Sequence, residues 1–318
     1  MNRQNSEKIL VTGAAGFIGS HLCETLLAKG FSVIGIDCFQ APAWVKEKNI
    51  ASLISNPDFK LIRGDLLELE LPVILDGVHV IYHLAATAGV RASWGTNFQT
   101  YIRNNIKSTQ LLLETAKGRR YLKKFILAST SSVYGATDGP AREDHPLRPL
   151  SPYGVTKLAG EHLAAIYHRE FGLPLTILRF FTVYGVRQRP DMAFHRLIKA
   201  VLAGEEFKVY GDGGQIRDFT NISDIVDGNI KAMNLASHGN VYNLGGTSRA
   251  SLNDVISLVQ KITGIEARIK YIPEQPGEPR ETWANISSAT RDLKYSPTIA
   301  LKDGLHAEIA YIKELYGL

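Results

Sequence analysis

Apolar residues in the first half of the chain form short β-branched runs that alternate with longer segments of helical periodicity. In the first helical segment Ile18, Leu22 and Leu26 recur every four residues, as the buried face of a helix requires. Such alternation predicts a parallel sheet covered by helices. The predicted strands are Ile9–Thr12, Ser32–Ile36, Lys60–Arg63, Val78–His83, Lys124–Ala128 and Leu175–Phe180. The predicted helices of this half are Gly16–Ala28, Thr100–Ala116 and Tyr153–Phe171.

The pattern changes after Phe180, where shorter helical segments alternate with brief strands and with turns such as Gly211–Gly214. The helices predicted there are Ala193–Ala203, Ser223–Ala236 and Leu252–Thr263. We interpret residues 1–180 as one domain, to which about 220–245 return, and 181–318 as mainly a smaller second domain. A ligand cleft is expected between them, at the carboxyl ends of the strands.

Composition adds few constraints. The 318 residues are 45% hydrophobic and 21% charged, as in an ordinary globular protein, and no segment approaches the ~20 apolar residues of a membrane span. The net charge is +5, and the Lys and Arg residues are scattered along the chain without forming a basic tract. An anionic small substrate therefore explains the excess at least as well as nucleic acid does. Cys23 and Cys38 form no metal-ligand spacing, so we expect two free thiols in the cytoplasm and no metal site. From the hydropathy and the charge distribution we expect neither a membrane nor a nucleic acid as partner.

A glycine-rich turn follows the first predicted strand. Gly13, Gly16 and Gly19 open the first helix, and Asp37 ends the second strand roughly 20 residues later. Glycines there let the backbone approach a pyrophosphate at a helix N-terminus, and the carboxylate can accept the ribose hydroxyls of NAD while repelling the extra phosphate of NADP. The pattern predicts NAD; a turn without a ligand is the alternative.

Two later strand ends fit the same cofactor. Asp65 and Leu66 follow the third strand, where a carboxylate could lie near adenine. Leu84, Ala85 and Ala86 follow the fourth strand and supply small residues beside which a cofactor can pass. Taken alone, each segment is more readily explained as a plain loop than as a binding site.

Candidate catalytic residues lie at the start of the helix predicted from Tyr153. Tyr153 and Lys157 are four residues apart and so share one face, and an ammonium nearby lowers a tyrosine pKa from ~10 towards neutrality. Tyr153 is therefore a candidate general base for a hydroxyl. Thr130 ends the fifth strand in the hydroxyl-rich run Ser129–Gly135 and could reach the same substrate oxygen; a satisfied Ser/Thr turn is the alternative.

Together these motifs resemble the extended short-chain dehydrogenase/reductase family of NAD-dependent sugar epimerases and dehydratases. The segments Arg179–Gly185 and Gly211–Phe219 also match, so the resemblance covers nearly the whole chain. It implies an α/β fold, a Rossmann doubly wound parallel sheet with a smaller C-terminal substrate-binding domain. It further implies that residues 1–180 bind NAD and 181–318 mainly bind a UDP-sugar.

The resemblance also assigns roles. Tyr153 is the base, Lys157 orients the cofactor ribose, and Thr130 stands where the family has Ser or Thr. Arg217 would clamp the diphosphate, with Arg280 as a further candidate, and Tyr210 would lie against uracil. The cofactor-binding residues that it implies are Gly13, Gly16, Phe17, Ile18, Gly19, Asp37, Asp65, Leu66, Leu84, Ala85, Ala86, Tyr153, Lys157 and Phe180.

The helices Thr100–Ala116 and Tyr153–Phe171 resemble the pair that forms a four-helix dimer interface in this family, so a homodimer is expected. The apolar residues available for that interface, which could equally be core, are Ile102, Ile106, Leu158 and Ile166.

The segment Gly185–Ala193 resembles the corresponding loop of UDP-glucuronate 4-epimerases more than that of UDP-glucose 4-epimerases. A guanidinium can hold a uronic acid carboxylate through two parallel hydrogen bonds, and we predict that Arg189 does so, with Arg187 as the competing choice. Thr182 stands where many relatives have Asn, and its hydroxyl, with those of Ser131 and Ser132, could donate to the carboxylate.

The predicted reaction is therefore 4-epimerisation of UDP-glucuronate to UDP-galacturonate. It proceeds by hydride transfer from C4, a 4-keto intermediate, rotation and hydride return. The alternatives are a UDP-glucose 4-epimerase, then a UDP-glucuronate decarboxylase, which typically has Glu at the place of Ser132, then a non-catalytic NAD- or RNA-binding protein.

Overall fold

The structure, a computed structural model, describes residues 7–40 and 42–318. Its strands are β1 (Lys8–Thr12), β2 (Ser32–Asp37), β3 (Phe59–Arg63), β4 (Val80–His83), β5 (Lys124–Thr130), β6 (Leu175–Phe180), β7 (Val183–Tyr184), β8 (Glu206–Tyr210), β9 (Ile216–Asn221), β10 (Asn240–Leu244), β11 (Ser248–Ser251), β12 (Arg268–Ile272) and β13 (Glu281–Thr282). Seven strands form one parallel sheet in the order β10-β6-β5-β4-β1-β2-β3. The six predicted strands all lie in it, with bounds that agree within two residues.

The helices are α1 (Phe17–Ala28), α2 (Ala43–Ile50), α3 (Leu71–Ile74), α4 (Phe98–Tyr101), α5 (Ser108–Ala116), α6 (Pro152–Phe171), α7 (Ala193–Ala203), α8 (Ile222–Leu235), α9 (Leu252–Thr263), α10 (Ser287–Leu293) and α11 (Leu301–Tyr316). Short 3₁₀ turns cover Arg91–Ser93, Gly95–Asn97 and Ser131–Val133. Helices cover both faces of the large sheet. Successive residues of a strand point to opposite faces, so each strand contributes apolar side chains to both layers of packing. In β1, Ile9 and Val11 belong to the core on the side of α1 and α8, and Leu10 to the core on the side of α5 and α6. The predicted fold class is confirmed.

One predicted helix is wrong in detail. Thr100–Ala116 is not a single α-helix, since α4 and α5 are joined by the π-helical segment Ile102–Lys107. Within this segment the side chain of Asn105 accepts a hydrogen bond from the Thr87 amide at 2.8 Å and donates one to the Thr87 carbonyl at 3.0 Å. The wide turn thereby binds the loop that follows β4, a use of π-helical turns that apolar periodicity does not reveal.

The start of α6 is fixed by its cap. The Ser151 hydroxyl accepts a hydrogen bond from the Gly154 amide at 3.1 Å, and Pro152 occupies the first helical position. Both residue types are favoured there, because the side chain satisfies an amide that has no helical partner and proline needs none. Tyr153 and Lys157 therefore occupy the first two turns of a helix whose register the sequence sets locally.

The rest of the chain forms smaller sheets. Strand β9 pairs with β7, β11 and β13, while β8 pairs with β12. A separate apolar core lies between these strands and α7, α9 and α11, and includes Leu197, Val255 and Ile309. Strand β10 and helix α8 pack with the large sheet and lie in the range for which a return was predicted. The division into a NAD-binding and a UDP-sugar-binding domain stays a prediction.

No helix within residues 7–40 and 42–318 has the length and apolar character needed to cross a membrane.

Candidate active site

A cavity of about 790 Å³ runs along the carboxyl ends of β1–β6 and is closed on its other side by residues of the C-terminal half. Every residue predicted to bind the cofactor or to act in catalysis lines it. These are Gly13, Gly16, Phe17, Ile18, Gly19, Asp37, Asp65, Leu66, Leu84, Ala85, Ala86, Thr130, Tyr153, Lys157 and Phe180. Of the predicted substrate-binding residues, those that line it are Ser131, Ser132, Thr182, Arg189, Tyr210 and Arg217.

The glycine turn has no room for side chains. Gly13 has a φ of +73°, and a methyl group on it would lie 3.0 Å from the backbone nitrogen of Ala85. A methyl group on Gly19 would lie 2.1 Å from the carbonyl oxygen of Gly13. The backbone is therefore bare where α1 begins, and no side chain caps that helix. These features fit the pyrophosphate of a dinucleotide, which free amides and the helix dipole would bind.

Asp37 is held by three donors at the end of β2. Its carboxylate accepts hydrogen bonds from the amides of Ala15 at 3.1 Å and Phe39 at 2.8 Å, and pairs with the Lys46 ammonium at 2.7 Å. Its side chain is only 2% exposed. Lys46 comes from α2, which the sequence analysis did not predict, and lines the same cavity. The carboxylate is thus fixed beside the glycine turn, where a cofactor ribose is expected.

Asp65 is also engaged. Its burial opposes ionisation, but hydrogen bonds from the Arg103 side chain and the Leu67 amide more than compensate, so its pKa lies below the ordinary value. Arg103 belongs to the π-helical segment, so this interaction ties the end of β3 to that helix.

Thr130 and Tyr153 are in contact in the cavity. Burial of the phenol raises the pKa of Tyr153, while a hydrogen-bonding contact with Thr130 and the charge of Arg189 lower it by less. The prediction that Lys157 lowers this pKa towards neutrality is therefore wrong for the protein alone. The cost of desolvating a phenolate outweighs the favourable contacts. The ring of Tyr101, which the sequence analysis missed, lies edge-on to Tyr153 with centroids 6.2 Å apart.

Lys157 is buried on the same face. Burial lowers its pKa to about 8, opposed by the charge of Glu161 one turn further along α6. Glu161 is itself bound by Arg179 of β6, with the nearest oxygen 2.6 Å from a guanidinium nitrogen, and by the Ser129 hydroxyl. Both members of this ion pair are about 5% exposed or less. The carboxylate whose charge acts on Lys157 therefore already has a strong partner.

The far end of the cavity is positively charged. Glu278 pairs with both Arg91 and Arg217, each at 3.1 Å, and the Arg91 guanidinium lies 4.1 Å above the ring of Tyr210. Arg91 and Glu278 stand outside any motif that the sequence analysis recognised. Two guanidiniums around one carboxylate form a site suited to an anion such as a diphosphate.

Two of the candidate arginines lie away from the cavity. Arg280 does not line it; its guanidinium makes two hydrogen bonds to Asp212, at 2.8 and 2.7 Å, and is 62% exposed. Arg187 does not line it either and pairs with Glu24 of α1 at 3.0 Å. Arg189 does line the cavity, which favours it over Arg187 for a substrate carboxylate. The three serine and threonine hydroxyls predicted beside it, on Ser131, Ser132 and Thr182, also line an adjoining recess of about 140 Å³.

Within the described ranges, 7–40 and 42–318, no group of three or more His, Cys, Asp or Glu side chains could hold a metal ion.

Comparison with known proteins gives a consistent result. The model of the NAD dependent epimerase/dehydratase family matches residues 9–245. An uncharacterised UDP-glucose epimerase of Bacillus subtilis is 52% identical over 97% of this chain and 99% of its own length. A UDP-glucuronate 4-epimerase of Thermodesulfobacterium geofontis is 37% identical over 96% of both chains. The crystal structure of UDP-glucuronic acid 4-epimerase from Bacillus cereus, in complex with UDP-glucuronic acid and NAD, superposes with a TM-score of 0.96. That comparison has 54% identity and covers 97% of this chain and 100% of the other.

Replacing the buried Lys157 by methionine should stabilise the cofactor-free protein. A pKa depressed from 10.5 to about 8 means that the folded state holds this charge at a cost of about 3 kcal/mol, which the variant avoids. The gain should be full below pH 8, where Lys157 is charged in both states. It should vanish near pH 10.5, where both states have lost the proton. Unfolding midpoints measured from pH 7 to 10 test this.

Lys302→Met, on the exposed side of α11, is the matched control and should change the midpoint little at any pH. A Lys157→Met protein that is less stable than wild type at pH 7, or whose advantage grows with pH, would contradict the prediction.

Proposed function

We propose that this chain, which belongs to the NAD dependent epimerase/dehydratase family, is an NAD-dependent 4-epimerase that converts UDP-glucuronate to UDP-galacturonate. The observation that carries the proposal is that Arg189 lines the same cavity as Tyr153 and is close enough to lower its pKa. A guanidinium in the same cavity as the base suits a sugar that carries its C4 hydroxyl and its carboxylate on neighbouring ring carbons. The similarity to UDP-glucuronic acid 4-epimerase from Bacillus cereus, whose crystal structure is a complex with UDP-glucuronic acid and NAD, supports it.

The chain supplies a cofactor site and a base. The glycine turn of Gly13, Gly16 and Gly19 would hold the pyrophosphate, Asp37 the adenosine ribose, and Lys157 the other ribose. NAD bound there would supply a hydride acceptor, and in its reduced form a hydride donor, for C4 of the sugar. Tyr153 takes the proton of the C4 hydroxyl as the hydride leaves and gives it back when the hydride returns, and the Thr130 hydroxyl donates a hydrogen bond to the same oxygen.

The substrate would lie across the other half of the cavity. We assign the diphosphate to Arg217 and the uracil to the ring of Tyr210. We assign the sugar carboxylate to Arg189, and the hydroxyls of Ser131, Ser132 and Thr182 would be further hydrogen-bond donors to it. Because Arg280 is bound to Asp212 outside the cavity, it has no role in this assignment.

The carboxylate sets the special requirement of this reaction. Oxidation at C4 makes a β-keto acid, which loses CO₂ when its carboxylate bond aligns with the carbonyl π system. A guanidinium that binds both carboxylate oxygens fixes their plane and prevents that alignment. Ser132, where decarboxylases of this type typically have Glu, leaves out the acidic group that would repel the carboxylate.

One observation favours a second substrate. The Bacillus subtilis relative that is 52% identical is named as a UDP-glucose epimerase. The same base, cofactor site and rotation would serve UDP-glucose, whose C6 hydroxyl has no charge for Arg189 to bind. UDP-glucose is therefore the alternative substrate.

We also propose a homodimer in the cytoplasm. Val155 and Ile166 of α6 are 48% and 45% exposed and are eleven residues apart, which places them on one face of the helix. Apolar groups so aligned suit a partner helix. Both cysteines are free thiols, as a reducing compartment would maintain them.

NMR of the purified protein mixed with UDP-glucuronate tests the function directly. UDP-galacturonate should form without release of CO₂, first without added cofactor and then with NAD supplied. Formation of a UDP-pentose would mean that the carboxylate is not protected and that the protein is a decarboxylase. If UDP-glucuronate is unchanged but UDP-glucose yields UDP-galactose, the substrate assignment is wrong and the mechanism stands.

The variant Arg189→Ala tests the carboxylate assignment. It should lower kcat/KM for UDP-glucuronate by about 100-fold or more, since it removes the cation and leaves Asp191 facing a like charge. Turnover of UDP-glucose should fall far less. Arg142→Ala, which removes an exposed arginine paired with the aspartate two residues on, is the control. Unchanged kcat/KM for UDP-glucuronate would remove Arg189 from the site.

Equilibrium sedimentation tests the dimer. The wild-type protein should sediment with twice the mass of the chain, and Val155→Asp should reduce it to the monomer because it places a charge in the apolar helix contact. Ile54→Asp, which places the same charge at an exposed apolar residue outside α6, should leave the mass unchanged. A wild-type monomer at all concentrations rules the proposal out.

A further inference from the structure

The charge of Arg189 is already paired inside the cavity. Its Nε donates to one carboxylate oxygen of Asp191 at 2.9 Å, and a terminal nitrogen donates to the other oxygen at 2.8 Å. Both residues line the cavity, and the exposed fraction of the side chain is 36% for Arg189 and 65% for Asp191. Asp191 belongs to the loop after β7 and was not among the predicted site residues.

This pairing decides which part of the guanidinium can meet a substrate. A guanidinium has five N–H donors, and Asp191 occupies two of them on one edge. The remaining donors belong to the two terminal nitrogens. The positive charge of Arg189 also lowers the pKa of both Tyr153 and Tyr101, so the guanidinium acts on the side chain of the candidate base.

The loop that carries the pair is fixed from several sides. The buried side chain of Gln188 donates to the carbonyl of Val183 at 3.2 Å and accepts from the His195 amide at 3.0 Å. The amide of Gly185 donates to the buried Glu308 of α11 at 3.0 Å. Asp191 and Arg189 therefore stand at defined positions, and their pairing is a feature of an anchored loop.

The reaction makes two opposing demands on the carboxylate contact. The sugar must be held against decarboxylation while it is a 4-keto acid, yet it must also turn over so that the hydride returns to its other face. An unpaired guanidinium in a confined cavity would hold a carboxylate strongly in one orientation. A guanidinium that shares its charge with a neighbouring carboxylate holds it less strongly.

We propose that Asp191 is a positioning residue that orients Arg189 and limits its hold on the sugar carboxylate, so that the keto sugar can rotate. The proposal rests on the proposed function, because it presumes a uronate substrate. Asp191 acts only through Arg189 and contacts no reacting atom.

The variant Asp191→Asn separates charge from shape, since the amide oxygen can still accept a hydrogen bond from Arg189. With Tyr153→Phe added to prevent turnover, isothermal titration should give a Kd for UDP-glucuronate about fivefold lower than with Tyr153→Phe alone. The Kd for UDP-glucose, which has no carboxylate, should not change.

The kinetics should change in the opposite direction. In the otherwise wild-type enzyme, Asp191→Asn should lower both KM and kcat for UDP-glucuronate. The isotope effect of substrate deuterated at C4 should shrink, because rotation and not hydride transfer then limits turnover. A loss of folding or of loop order would instead raise KM and affect both sugars alike.

Asp144→Asn is the matched control, because Arg142 and Asp144 form an exposed pair at the same spacing with the same two-bond geometry. An unchanged or higher Kd for UDP-glucuronate in Asp191→Asn, or equal shifts for both sugars, overturns the proposal. A wild-type protein that does not epimerise UDP-glucuronate refutes the proposed function instead, and the two failures are told apart by the wild-type assay.

Discussion

The buried ion pair between Arg179 and Glu161 joins the sheet to the helix on which the catalytic candidates lie. Arg179 leaves β6, binds both oxygens of Glu161 on α6, and also donates to the Tyr134 hydroxyl at 2.8 Å. Tyr134 in turn donates to Asn243 of β10 at 2.7 Å. Such a pair gains its stability only when its geometry is right and its remaining donors are satisfied, so it admits one position of α6 on the sheet. Because Tyr153 and Lys157 lie on α6, the ion pair also fixes their position relative to the sheet.

The acidic side chains that line the cavity are each paired with a cation. The carboxylates and their cationic partners are Asp37 with Lys46, Asp65 with Arg103, Asp191 with Arg189, and Glu278 with Arg91 and Arg217. An unpaired charge beside apolar walls would be costly, and pairing removes that cost without filling the cavity. The arrangement also means that an anionic ligand binds by exchange. A diphosphate bound at Arg217, as proposed, would compete with Glu278, so the affinity for the ligand would be the difference between two strong interactions.

The sequence predicted well those features that depend on neighbouring residues. The strands of the large sheet, the glycine turn, Asp37 and the Tyr153–Lys157 pair each rest on local periodicity or a short motif, and the structure brings them to one edge of the sheet. What it missed depends on contacts between distant segments. Lys46, Arg91 and Glu278 meet the cavity from three separate segments that carry no motif. The raised pKa of Tyr153 was missed for the same reason, because desolvation is a property of the assembled cavity.

Under the proposed function, the distinction between a uronate epimerase and its relatives depends on where the guanidinium of Arg189 is held. The candidate base lies on α6, and the candidate cofactor site lies at the edge of the large sheet. Neither depends on which UDP-sugar is bound. Arg189 comes from a loop whose anchors, Glu308 on α11 and His195 on α7, belong to the C-terminal half. A change in that half can therefore alter which sugar is accepted without disturbing the chemistry at Tyr153. In the role proposed for Asp191, a cation alone is an incomplete solution, because a carboxylate that is protected through one half-reaction must also be released for the next.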